Sequence, residues 1–171
     1  MSRAYLSLGS NLRPEHHLRI AVEALRERFG DILLSPVYRT EAVGFQGNAF
    51  CNAAVVIDTD LEPEALNDWL HALEDANGRD RSGPRFGDRT LDLDIVLYDE
   101  RVLDGPGHLR IPRPELQHAF VLKPLADIAP DAVVPTDGRS LAQLWSIHPD
   151  HDKPFETVAL SPTPTSTPIP L

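Results

Sequence analysis

Apolar and polar residues along this chain change period several times, and each change marks an element. Ala4 to Leu8 alternates around Tyr5 and Leu6 and predicts a short strand, ended by Gly9-Ser10-Asn11. From about Pro14 to Phe29 the apolar positions Leu18, Val22, Leu25 and Phe29 recur at helical spacing, and Gly30 stops the helix. Ile32 to Tyr38 predicts a second strand, with Pro36 pointing to an edge or a bulge. A loop over residues 40–49 contains Gly44 and Gly47, and Phe50 to Asp58 is a β-branched third strand. Pro63 opens a second helix that runs to about Asn77, with Leu66, Trp69, Leu70 and Leu73 on its apolar face and Gly78 as its stop. Leu91 to Tyr98 is a fourth strand, with Leu91, Leu93, Ile95 and Leu97 expected on one core-facing side.

The order strand, helix, strand, strand, helix, strand predicts an α+β fold. It is the ferredoxin-like sandwich, a βαββαβ core of two split βαβ units with both helices on one face of an antiparallel sheet. A C-terminal α/β extension follows, with a strand over Leu109 to Ile111 and helices over Phe120 to Ile128 and Ser140 to Ile147. Residues 1–160 are expected to form one domain. Residues 161–171 hold four prolines, three threonines and two serines, and that composition predicts a disordered tail.

With 171 residues the chain is long enough to bury a core without disulfides or a structural metal. Its net charge of -10 argues against general nucleic-acid or membrane-surface binding. Cys51 is the single cysteine and reads as a small buried hydrophobe, which suits a reducing compartment. Neither a signal peptide nor a membrane-length apolar run is legible, so a cytoplasmic protein is expected, with a monomer as the default.

Local charge runs against this acidic background between Arg79 and Arg89. Arg79, Arg81, Arg85 and Arg89 lie in a loop punctuated by Gly83, Pro84 and Gly87, and the loop leads straight into Asp92 and Asp94. Arginines bind phosphate oxygens bidentately and keep their charge. Two aspartates two positions apart on a strand leave the same face, and Mg²⁺ takes such carboxylates together with phosphate oxygens. The constellation predicts a site for a metal-bound polyphosphate. Its bland counterpart is a charged surface loop beside a solvated strand face. There is no Walker P-loop, no dinucleotide-binding glycine motif and no zinc-ligand pattern. Phe50, Asn52 and Phe120 could be plain core residues, or two rings and an amide that hold a flat heterocycle.

Four motifs in order carry a resemblance: Gly9-Ser10-Asn11-Leu12, Tyr38-Arg39-Thr40, Asn52-Ala53-Ala54-Val55 and Arg89-Thr90-Leu91-Asp92-Leu93-Asp94. On these the chain resembles the 6-hydroxymethyl-7,8-dihydropterin pyrophosphokinase family of folate biosynthesis, over about Ala4 to Trp145. The resemblance implies a ferredoxin-like fold, ATP and the pterin as substrates, and two Mg²⁺ ions held by Asp92 and Asp94. It implies that Arg81 and Arg85 hold the polyphosphate and that Arg79 and Arg89 assist transfer. Glu74, Phe86, Pro112, Arg113 and His118 would border the nucleotide. The pterin would lie between Phe50 and Phe120, its edge read by Asn52 and by the backbone near Thr40 and Val43. Departures cluster near the nucleotide. Pro112-Arg113-Pro114 replaces a frequent Pro-His-Pro, the segment to Phe120 is one residue shorter, His118 stands where Arg is common, Phe86 where Trp is frequent, and Asp88 where Pro or a small residue is usual. Weaker ATP affinity is expected from them. The competing expectations are another Mg²⁺-dependent phosphoryl transferase and a catalytically silent binding module.

Overall fold

The structure is a computed structural model that describes residues 1–40, 49–78, 91–105 and 109–160. Val43, Arg79, Arg81, Arg85, Phe86, Asp88, Arg89 and the expected tail over 161–171 lie outside the described residues.

The chain forms an α+β fold around a six-stranded antiparallel sheet, with a second, two-stranded antiparallel sheet over Leu103–Asp104 and Arg110–Ile111. Its elements are β1 (Ser2–Ser10), α1 (Pro14–Phe29), β2 (Leu33–Leu34), β3 (Val37–Thr40), β4 (Phe50–Thr59), α2 (Pro63–Ala76) and β5 (Asp92–Tyr98). After these come β6 (Leu103–Asp104), β7 (Arg110–Ile111), a 3-10 turn (Pro114–Gln117), α3 (Ala119–Ile128), α4 (Leu141–Ser146) and β8 (Glu156–Val158). The sheet runs β5-β1-β4-β3-β8, with β2 also paired to β4. Each strand-helix-strand crossover therefore has a strand of the other lying between its own two strands.

Helix α1 begins at a proline and ends before Gly30, whose φ of 83° suits a residue without Cβ. Its buried Leu18, Val22 and Leu25, with Leu66 and Leu70 of α2, pack on one sheet face against Leu6, Leu8, Val55, Leu93 and Ile95. Cys51 is in this core, as its neighbours in sequence suggested. On the other face α3 and α4 bring Val121, Leu122, Leu125 and Leu141 onto Ala54, Val96 and Leu97. Burying a leucine of this kind contributes about 1.5–3 kcal/mol. Among the described residues no helix is long and apolar enough to cross a membrane.

Four details correct the sequence expectations. Strand β1 continues through Gly9 to Ser10 rather than ending at Leu8, because Gly9 pairs on both sides, with Asn52 and with Asp92. The second strand is two short ones, broken at Ser35-Pro36. There Ser35 donates its N–H to the Ala54 carbonyl, and its Oγ accepts the Ala54 N–H at 2.8 Å. Proline cannot donate to a ladder, and the serine hydroxyl covers the gap. Strand β5 also departs from strict alternation. Its register against β1 slips between Tyr5 and Leu6, where Tyr5 faces Leu97 but Leu6 faces Ile95. The extra residue, Val96, turns Leu97 into the α3 core, away from Leu93 and Ile95. Finally, β8 adds a strand against β3 that no local pattern announced.

Candidate active site

Residues directly opposite across paired strands share a face, so the register alone assembles a site. One row runs Asp92, Gly9, Asn52, Tyr38 across β5, β1, β4 and β3. The next row, toward α3, is Asp94, Ser7, Ala54. On the other side Phe50 faces Thr40, and Phe50 shares the face of Asn52 two positions on. Thr40, Phe50, Asn52, Asp92 and Asp94 therefore occupy one patch of one face. Ala54 places that face against α3, and Phe120, in the first turn of α3, packs on the same core.

Asn52 is 5% exposed and lies over the gap that Gly9 leaves. A Cβ at residue 9 would come within 2.9 Å of Asn52 Oδ1, a distance real Cβ atoms essentially never show. The row is held from above as well. Tyr38 Oη donates to Asp127 Oδ2 of α3, and Lys123 Nζ reaches Asp127 Oδ1 at 2.7 Å. Lys123 also sits 5.3 Å from the Tyr38 ring centroid, which strengthens the clamp between β3 and α3.

Asp94 is the most perturbed group of the patch. Burial, and after it the nearby charge of Asp92, pushes its carboxyl up to about 7, with Arg113 pulling the other way. Arg113 Nη2 is 3.2 Å from Asp94 Oδ1. Arg113 comes from the segment after β7, next to Pro112, and its backbone N–H donates to the Val96 carbonyl at 2.9 Å. His118 stacks on Phe120, with ring centroids 5.1 Å apart and planes within 7°. Glu74 comes from the α2 side of the sheet. It is 2% exposed, and its Oε2 accepts the backbone N–H of Leu93 at 2.7 Å, so it holds the edge of β5 between the two aspartates.

Sequence spacing alone did not reveal Gly9, Tyr38 or the Lys123–Asp127 pair as parts of this patch. A glycine inside a strand does signal a close approach, and Gly9 carried that signal once β1 reached it. Tyr38 and Asp127 are linked only through tertiary packing.

The donor set suits a hard divalent cation. Among the described residues no group of three His, Cys, Asp or Glu side chains forms a closed metal cage. Two carboxyl groups on one face, an all-oxygen set, match the way Mg²⁺ is usually held, by one or two carboxylates with substrate phosphates completing the shell. The patch thus sets Thr40, Phe50 and the Asn52 amide on one face with Asp92 in the row of Asn52 and Asp94 in the next.

A family model described as 7,8-dihydro-6-hydroxymethylpterin-pyrophosphokinase (HPPK) matches residues 5–130. A Pseudomonas aeruginosa protein, 2-amino-4-hydroxy-6-hydroxymethyldihydropteridine pyrophosphokinase, is 42% identical over 155 residues, covering 87% of this chain and 93% of its own. Proteins of the same name from Porphyromonas gingivalis and Haemophilus influenzae are 38% and 36% identical, covering 76% and 88% of this chain and 92% and 96% of theirs. Among solved structures, wild-type Plasmodium falciparum HPPK-DHPS superposes with a TM-score of 0.66 at 15% identity. That match covers 85% of this chain and 43% of the longer one, and it is a likeness of fold.

Proposed function

The chain belongs to the 7,8-dihydro-6-hydroxymethylpterin-pyrophosphokinase family, and we propose that it transfers pyrophosphate from ATP to 6-hydroxymethyl-7,8-dihydropterin in folate biosynthesis. The hydroxymethyl oxygen attacks the β-phosphorus of ATP and releases its proton to water. The bond from that phosphorus to the oxygen bridging to the α-phosphate breaks, and AMP leaves with that oxygen. The observation that carries this reading is the single row Asp92, Gly9, Asn52, Tyr38. It sets the Asn52 amide and the Asp92 carboxylate on one face with β1 between them, and Asp94 follows in the next row of that face.

In this reading Phe50 and Phe120 hold the pterin ring between them. Asn52 reads its edge with an amide that both donates and accepts, and the backbone near Thr40 and Val43 completes that edge. Asp92 and Asp94 would hold the two Mg²⁺ ions, which would supply neutralisation of phosphate charge. Arg81 and Arg85 bind the polyphosphate, and Arg79 and Arg89 stabilise charge in the transfer. Glu74, Phe86, Pro112, Arg113 and His118 border the nucleotide. Most of the acceleration then comes from alignment and charge, as expected where phosphoryl groups move with little covalent help from the protein. The six core elements are read as ferredoxin-like, residues 1–160 as one catalytic domain, and the protein as a cytoplasmic monomer.

The test is AMP release with ATP, Mg²⁺ and the pterin, beside a control without pterin. Pterin-dependent AMP in equal amount to pterin pyrophosphate is the expected result. Folded protein that binds ATP but forms AMP only with another acceptor would replace the pterin reading.

A further inference from the structure

The Asp94 carboxylate already has a cation beside it. Arg113 Nη2 lies 3.2 Å from Asp94 Oδ1, and the two side chains are 24% and 25% exposed. The main chain delivers the guanidinium there. Arg113 N–H is bonded to the Val96 carbonyl, so the segment is tied to β5 two residues past Asp94. Holding the backbone this way leaves the side chain as the part that can move.

The guanidinium is held mainly by charge. Its five N–H donors want a fork of acceptors. Arg113 Nε is buried and makes no hydrogen bond among the described residues. Its ion-pair partner there, Glu115 Oε1, is 3.6 Å away, beyond hydrogen-bond reach. Glu115 is 48% exposed and lies in the turn that Arg113 precedes. A second carboxylate therefore waits on the solvent side.

A divalent cation on Asp94 Oδ1 would set its two positive charges within a few ångströms of this guanidinium, so the two repel across one carboxylate. Mg²⁺ binds oxygen at about 2.0–2.1 Å and demands a near-octahedral shell. A guanidinium nitrogen 3.2 Å from the same oxygen would intrude on that shell and repel the ion. We propose that Arg113 is the countercation of Asp94 in the metal-free protein, and that a divalent cation displaces it from Asp94 toward Glu115. Metal and Arg113 compete for one carboxylate. This rests on the reading of Asp94 as a metal ligand.

The experiment is a Mn²⁺ titration without nucleotide, following free Mn²⁺ by electron paramagnetic resonance. It uses the wild-type protein, Arg113→Ala, Arg113→Lys and Asp94→Asn. Arg113→Ala should bind Mn²⁺ about two- to fivefold more tightly, the scale set by losing one partly exposed ion pair. Arg113→Lys, which restores a cation, should return most of the way to wild type. In wild-type protein the Arg113 Nε–H resonance should shift on adding Mg²⁺, with the same midpoint as metal binding. Unchanged or weaker Mn²⁺ binding by folded Arg113→Ala overturns the competition. If that variant does not fold, an Arg113 resonance indifferent to Mg²⁺ overturns it instead. Equal Mn²⁺ binding by Asp94→Asn and wild type removes the metal reading and this inference with it, whereas no binding by any of the four proteins overturns the inference alone, since substrate phosphates then supply the rest of the shell.

Discussion

Gly9 and Asn52 compete for one volume, and the glycine yields it. Gly9→Ala would drive a Cβ to 2.9 Å from Asn52 Oδ1 and force the amide off its position. Pterin affinity should fall about tenfold or more, while the stability loss stays within about 1–3 kcal/mol. Calorimetric titration with the pterin beside a thermal melt separates the two, and a variant that binds pterin normally would remove Asn52 from the pocket. Asp94 invites a different test. Burial and the charge of Asp92 raise its carboxyl from 3.8 to about 7, so the native state holds a proton that the unfolded chain releases. The sign follows: without divalent cations, Asp94 costs nothing at low pH, costs progressively more as pH rises from about 4, and the full amount, on the order of a few kcal/mol, above about 7. Melts in chelator should show wild type losing ground to Asp94→Asn across that window, and a constant gap between the two curves would contradict it. At this scale the sequence was readable where spacing alone sufficed. Asp92 and Asp94 share a face because strands have a period of two. Arg113 as the partner of Asp94 was not readable, because the contact depends on how a later segment is tied down at a bulge.

Ser35 shows how an element can be broken without leaving unpaired groups. Its hydroxyl and N–H both bond Ala54 in the gap made by Pro36. Ser35→Ala should leave the Ala54 N–H buried and unpaired, at about 1–3 kcal/mol. Urea denaturation would show this as a lower midpoint with an unchanged slope, and a change below about 0.5 kcal/mol would mean water replaces the hydroxyl. Both long helices were legible nearly to the residue, since prolines start them and glycines follow their ends. Strands were less so. Pro36 signalled an interruption but not the serine that bridges it. Nothing between Leu91 and Tyr98 marks Val96 as the extra residue, because Ile, Val and Leu fit either side of a sheet covered on both faces.

For the whole molecule, the split crossover order could be read from the succession of elements, but the outer strand β8 could not. Three residues paired across most of the chain leave no local signature. Yet β8 brings Phe155 against both Tyr38 and Trp145, 5.7 Å from each ring, and so buttresses the strand that carries Tyr38. Ending the chain at Pro154 should lower the melting midpoint by about 2–8 °C. Ending it at Leu160, which keeps β8, should leave both midpoint and pterin-dependent AMP formation unaltered. A Pro154 truncation as stable as full length would make β8 dispensable. The place of β1 has one more consequence. Asn52 and Asp92 are distant in the chain and fall in one row only because β1 threads between β4 and β5. Strand β1 is thus the spacer between the two halves of the patch, and its outer partner β5 comes much later in the chain. During refolding, catalysis should appear in step with completion of the sheet and not before, so that a half-folded chain has no assembled pocket in which to spend ATP.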